Sequence, residues 1–157
     1  MPQGREPERI DPQSLGDYLE VMSKTVLQSG MSWKVEDSKW PGIREAFGGF
    51  DAEAVASFGE QELDELTGDK RVIRNRRKLE AIVSNAQAMV ELDQEFGSFR
   101  NYLRSHGDFE GTVKDLRKRF KFLGDMGTYH FLWVVGEEVP SYEEWCRTRG
   151  IEPKSNG

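Results

Sequence analysis

The chain has 157 residues, the size of one domain, and its 36% hydrophobic and 11% aromatic residues are enough to bury a core. No stretch approaches the ~20 apolar residues that a membrane span needs, and the first ten residues are polar, so a cytoplasmic protein without membrane association is expected. Cys146 is the only cysteine, which leaves no partner for an internal disulfide, and the net charge of −6 argues at first against a nucleic-acid partner.

Residues 1–10 and 151–157 read as flexible tails around a single domain over 11–150. Leu15, Leu19, Met22 and Val26 recur at helical spacing, which predicts a first helix from Ser14 to about Gln28, with Ser14 and Asp17 as its start signal and Gly30 as its stop. Trp40, Ile43 and Phe47 form the apolar face of a second helix that ends at Gly48 and Gly49. Asp51 caps a short third helix reaching about Ser57, and Glu60 to Leu66 form a fourth. A long helix follows the basic segment Gly68 to Lys78, opening at Arg74 and burying Leu79, Ile82, Val83, Ala86, Met89 and Val90. Phe99, Tyr102 and Leu103 mark another short helix. Thr112 with Asp115 starts the next, which carries Leu116 and Phe120. Gly124 and Gly127 bracket a turn before an apolar helix from Thr128 to Val135, and Ser141 with Glu144 forms a capping box for the last helix. No alternating strand pattern exceeds four residues, so the class is all-α, with many short helices.

The charge is polarised. Lys70, Arg71, Arg74, Arg76, Arg77 and Lys78 place six cations in nine residues, and Lys114, Arg117, Lys118, Arg119 and Lys121 place five in eight. A basic face can meet phosphates despite a negative total, although two solvated helix surfaces would look the same in sequence. The first cluster lies between two helices. Free backbone N–H groups at a helix start, with cations beside them, can hold a phosphate without reading bases. Trp33 follows the turn Gly30-Met31-Ser32 after the first helix. A ring there either stacks on an extruded base or fills the core. His130, between Tyr129 and Phe131 on an apolar helix, reads as a packed histidine rather than an acid or base, and Cys146 as an inert thiol.

Several stretches taken in order carry a resemblance: Ser29-Gly30-Met31-Ser32-Trp33, Phe47-Gly48-Gly49-Phe50-Asp51, Val72-Ile73-Arg74-Asn75-Arg76-Arg77-Lys78 with Ile82 and Asn85-Ala86, then Phe120-Lys121-Phe122-Leu123-Gly124 and Tyr129-His130-Phe131. Together they make the chain similar to the DNA-3-methyladenine glycosylase I family over Leu15 to Gly136. The resemblance implies a compact helix-hairpin-helix glycosylase fold and a base-excision enzyme. Such an enzyme flips an alkylated adenine out of double-stranded DNA and hydrolyses its glycosidic bond with water. It implies a base pocket at Thr25, Gln28, Trp33 and Tyr129, with Trp33 stacking on the base and Tyr129 supporting the pocket. It also implies a DNA grip at Lys70, Arg71, Arg74, Arg76, Arg77 and Lys78, with Lys118 and Lys121 of the second cluster. The expected state is a monomer without a cofactor.

Three departures accompany it. The family's structural zinc, held by two Cys and two His, finds only His106, His130 and Cys146 here, so no metal is expected. The family's N-terminal stretch, which supplies pocket aromatics, is missing or replaced by the tail. The glutamate that reads the damaged base falls at Thr25. Glu20 is five residues back on another helix face, and Glu36 and Asp37 lie just beyond Trp33, so the catalytic residue stays unassigned. Two alternatives remain open at this point: a non-catalytic DNA-binding relative, and a helical protein-interaction module.

Overall fold

In the computed structural model the described residues are 9–28, 33–72, 74–148 and 150, with the backbone alone described at Gln28 and across 33–38. Their order is α1 (Leu15–Gln28), α2 (Trp33–Ala46), α3 (Ala52–Ala56), α4 (Glu60–Thr67), α5 (Arg76–Phe96), α6 (Phe99–Leu103), α7 (Phe109–Arg119), α8 (Asp125–Val134) and α9 (Tyr142–Thr148), with no strand among the described residues. The all-α expectation holds.

Helix starts are set by short polar side chains that accept a backbone N–H of the first turn. Asp51 accepts from Ala54, Asn75 from Lys78, Ser98 from Asn101, and Asp108 from Gly111. Ser14 accepts from Asp17, and Ser141 from Glu144, as their spacing predicts. Four starts differ from expectation. α5 begins at Arg76, two residues past Arg74, because Asn75 caps it. α2 begins at Trp33 rather than near Trp40 and continues through Pro41. α7 begins at Phe109 because Asp108 caps it, and Thr112 lies inside, donating its hydroxyl to the Asp108 carbonyl at 3.1 Å. α8 begins at Asp125, so Gly127 is a helix residue and not part of a turn.

The long helix α5 is the centre of the fold. α1, α3, α4 and α6 pack on it, and α8 packs on α1 and α7. Its buried side chains Leu79, Ile82, Val83, Ala86, Met89 and Leu92 recur at three- and four-residue spacing, so one stripe meets all these neighbours. Gly97 ends it in the left-handed conformation (φ 83°), which costs glycine nothing. Trp40, Phe50 and Phe47 stack in a nearly parallel series with centroids 5.5 and 4.8 Å apart, filling the space between α2 and α3.

The N-terminal segment is fastened from Arg9 onward, two residues inside the expected tail. The Arg9 guanidinium lies 4.1 Å from the Trp133 ring centroid and donates to the Glu137 carbonyl, while the Ile10 N–H donates to the Val134 carbonyl at 2.7 Å. Asp11 pairs with Arg100 at 3.0 Å, and Glu137, itself buried, takes both Nε and Nη2 of Arg104. Residues 1–8 and 151–157 of the expected tails lie outside the described residues.

Candidate base pocket and DNA-gripping hairpin

Between α4 and α5 the chain turns in four residues, Asp69 to Val72, closed by a Val72 N–H to Asp69 carbonyl bond of 3.1 Å. The Asp69 carboxylate accepts from the Arg71 guanidinium and backbone N–H, and these bonds hold it at about 2. Val72 is buried and anchors the turn, so Lys70 and Arg71 are displayed at its tip. Asn75 then caps α5 by accepting from Lys78, leaving the first-turn amides of Arg76 and Arg77 to meet an anion.

Five of the six basic residues of this hairpin divide into two groups. Arg71 pairs with Asp69 and Glu45, both at 2.7 Å, and lies over Gly42, so it braces the turn against α2. Arg76 reaches Asp64 at 2.6 Å, Glu60 at 2.9 Å and Glu80 at 3.3 Å, so it ties the start of α5 to α4. Lys70, Arg74 and Arg77 are exposed and make no ion pair among the described residues, while Lys78 is half-buried. The six expected phosphate ligands thus separate into two struts, three outward cations and the half-buried Lys78. Local sequence cannot show this, because the carboxylates that engage Arg71 and Arg76 come from three different helices and the turn itself. In the second cluster, Arg117 pairs with Asp125 and Arg119 with Asp115, whereas Lys118 and Lys121 are exposed without an ion pair among the described residues.

The second feature is the seam between α1 and α8. Thr25 is 9% exposed, and its hydroxyl donates to the Val21 carbonyl at 2.9 Å. The proton is therefore spent within the helix, and what the oxygen offers a ligand is a lone pair. Across the seam stands Gly127. A Cβ there would lie 3.1 Å from Thr25 Cγ2 and 3.9 Å from Leu123 Cδ2, so this glycine is what lets α8 close on α1. His130, one turn further along α8, is largely buried. Burial, with the Lys24 charge second, pushes it down to about 4, so it is neutral at pH 7.

Glu20 does not substitute for a carboxylate at position 25. It accepts from Trp40 Nε1 at 2.8 Å and from Arg44 at 3.2 Å, which turns it toward α2. Tyr129 lies on another face of α8 from Gly127. Two residues from Gly127 on a helix is a rotation of about 200°, and the ring packs on Trp145, Phe109 and Tyr142 while its hydroxyl donates to the Pro140 carbonyl at 2.7 Å. It supports α8 from the side of Trp145 and Pro140. Trp33 is the first residue of α2 and Gln28 the last of α1, but their side chains, like those of Glu36 and Asp37, lie outside the described residues.

The donors present do not suit a structural zinc. His106 Nε2 contacts the Asp115 carboxylate that also takes Tyr102 and Arg119, Cys146 is buried in α9, and no group of three His, Cys, Asp or Glu side chains converges among the described residues. Arg9, Ile10, Asp11 and the Trp145 cluster hold the ends of the domain by hydrogen bonds and ring packing.

A capped hairpin leading into a central helix, set in an all-helical domain, defines a helix-hairpin-helix architecture. The methyladenine glycosylase family model matches residues 12–144, and the chain belongs to that family. It is 29% identical to DNA-3-methyladenine glycosylase 1 of Escherichia coli K12, over 69% of this chain and 70% of that protein. It is equally identical, over the same shares, to the DNA-3-methyladenine glycosylase of Haemophilus influenzae. Among solved structures it superposes on 3-methyladenine DNA glycosylase I from Staphylococcus aureus with a TM-score of 0.71 at 28% identity, covering 81% of this chain and 79% of that one.

Proposed function

We propose that this chain is a base-excision glycosylase that extrudes an alkylated adenine from duplex DNA and hydrolyses its N-glycosidic bond. The observation that carries this reading is the family match across nearly all the described helices, in a chain whose hairpin displays three uncommitted cations beside the open start of α5. Lys70, Arg74 and Arg77 neutralise phosphates on either side of the lesion, with the amides of Arg76 and Arg77 as further donors. Thr25 then faces the extruded base. Its oxygen accepts a hydrogen bond, which suits the exocyclic amino group of adenine. Trp33 and Gln28 complete the pocket as the stacking ring and a second hydrogen-bonding edge.

The chemistry is a displacement at the sugar. A water oxygen bonds to C1′, the bond from C1′ to the base nitrogen breaks, and its electron pair neutralises the positive charge that methylation placed on the ring. The water proton leaves to solvent. Because the leaving group is already cationic, the protein has to expose and position it more than activate it. Without a carboxylate at position 25 the pocket adds no charge stabilisation there, so the acceleration is smaller than a charged pocket would give. Thr25, at the position where the resemblance expects an anion, is also what a DNA-binding relative without hydrolysis would show. Release of free base from methylated duplex by the purified protein decides between them. Free 3-methyladenine supports the enzyme, and tight lesion binding without release supports the binder. No helix among the described residues is long and apolar enough to cross a membrane, and the chain is read as a cytoplasmic monomer.

A further inference from the structure

We propose that His130 is a specificity-determining residue of the base pocket, where its ring and the Thr25 oxygen accept the two amino hydrogens of the extruded adenine. The inference rests on the glycosylase reading above and adds to it the side chain that separates adenine from guanine.

Two contacts fix how α8 lies on α1. Gly127 abuts Thr25, and the rings of Phe131 and Tyr18 stand with centroids 6.5 Å apart. Tyr18 and Thr25 are two turns apart on one face of α1, and Gly127 and Phe131 are one turn apart on one face of α8. The two helices therefore run antiparallel with these four residues along their line of contact. His130 is three residues past Gly127 and next to Phe131, so it flanks that line.

Lys24 shows which flank. Its charge acts on His130, and its Nζ stands 5.6 Å from the ring centroid of Trp40 on α2. α1, α2 and α8 thus meet around Lys24, with Thr25 beside it in sequence and His130 opposite. Trp33 opens the same helix α2. The site is also reachable: His130 keeps some exposure, whereas Tyr129 and Phe131 on either side of it are buried.

The chemistry of the ring suits an adenine edge. Burial, with Lys24 second, holds His130 at about 4, so at pH 7 one ring nitrogen carries a proton and the other is a bare acceptor. The Lys24 charge favours the tautomer whose bare nitrogen faces it, because a lone pair meets a cation better than an N–H does. Thr25, whose hydroxyl proton goes to the Val21 carbonyl, is an acceptor as well. Adenine carries an amino group with two hydrogens where guanine carries a carbonyl oxygen. Two acceptors satisfy the first and are left unpaired by the second, and unpaired buried groups are what make such discrimination steep. The ring also costs the fold something, since its charged form is refused, and a perturbed titratable group in a cleft marks a functional position.

The test has two arms. In the first, the wild-type protein is titrated with free 3-methyladenine while NMR follows the histidine rings. His130 signals should move. His106, the only other histidine, contacts Asp115 at 3.2 Å beyond α6, so its signals should stay in place as the internal control. In the second, single-turnover release of 3-methyladenine and 3-methylguanine from methylated duplex is compared among variants. His130→Phe keeps a ring and loses the acceptor. It should cut 3-methyladenine release about tenfold, the scale of one hydrogen bond to a charged group, and leave 3-methylguanine release unchanged. His130→Gln, whose carbonyl oxygen accepts, should keep the ratio of the two bases near that of the wild type. A histidine with a packing role alone would change both bases alike. His130 signals that stay fixed at saturating free base, or an unchanged base ratio in His130→Phe, overturn the assignment and leave the glycosylase reading standing. Shifted His130 signals in a protein that releases no base from duplex support the contact and overturn hydrolysis. A wild-type protein that neither binds free 3-methyladenine nor releases it overturns both.

Discussion

Gly127 and Thr25 meet so closely that a single added carbon would press one against the other: a Cβ on Gly127 would stand 3.1 Å from Thr25 Cγ2. Inside a helix glycine costs ~1 kcal/mol relative to alanine, so its presence in α8 has to be explained by the neighbour it accommodates. Gly127→Ala alone should therefore gain little or lose slightly, because the helix gain is spent on displacing Thr25. In a Thr25→Ser background, where Cγ2 is gone, the same change should stabilise by ~0.5–1 kcal/mol. Denaturant unfolding of the four proteins of this double-mutant cycle measures the coupling, and a coupling of zero would mean the two residues do not touch.

The hairpin predicts a divided response to mutation. Lys70, Arg74 and Arg77 are the outward cations, so replacing all three with Ala should flatten the log–log salt dependence of duplex binding by up to about 2.7, at about 0.9 per phosphate contact. Arg71 and Arg76 are engaged by Asp69, Glu45, Asp64, Glu60 and Glu80. Their exposed pairs are each worth only ~0–1 kcal/mol, so Arg76→Ala should lower stability slightly and change the slope less than any outward residue does. Fluorescence anisotropy at several salt concentrations reads both effects. Equal slopes for the triple variant and the wild type would remove the hairpin from the DNA footprint.

Much of this was legible in the sequence, for reasons that differ by residue. Ser14, Asp51 and Ser141 cap helices by contacts within three residues, and such signals survive in one dimension. Asp108 has the same chemistry, but Thr112 with Asp115 offered a competing start, and the earlier cap prevailed. Gly127 looked like a turn because glycine usually marks one; only the approach of Thr25 from a helix a hundred residues away explains it as a helix residue. Tyr129 belongs to a motif that suggests the pocket, and only helical phase shows that its ring packs on Trp145 and its hydroxyl on Pro140. Asn85 was visible only as part of a motif, since its partner Lys121 is 36 residues distant. Nothing in the sequence marks Phe122 as left-handed.

His130 gives the fold a pH dependence. Burial, aided by Lys24, holds it at about 4, against about 6.5 when unfolded. Between those values the unfolded chain binds a proton that the folded one refuses. The contribution is thus fully present above about 6.5 and is lost as the pH falls toward 4, up to ~3 kcal/mol in all. Melting temperature should decline from pH 7 to pH 5, and His130→Gln should show a smaller decline over that interval. A parallel decline in both proteins would assign the loss to other groups.

Thr25→Glu tests the pocket itself. The site is 9% exposed, its hydroxyl is bonded to the Val21 carbonyl, and a carboxylate placed there must lose hydration before it can act. Two neighbours offset that loss: the Lys24 charge, and His130, which an adjacent anion would shift back toward its ordinary value. The variant should therefore fold, with a modest loss of stability and with the His130 titration moved upward, as NMR of its ring protons would report. If Thr25 faces the extruded base, the new charge lies where the methylated ring carries its own, in a site drier than water. Tighter binding of the cationic base and faster release of 3-methyladenine should follow, while affinity for undamaged duplex, set by Lys70, Arg74 and Arg77, should stay the same. Thr25→Gln, equal in size but without charge, separates electrostatics from shape and should gain much less. Should the Glu variant fold well and shift His130 without any gain in base release, Thr25 lines the α1–α8 seam but not the base, and the pocket must be sought elsewhere around Trp33.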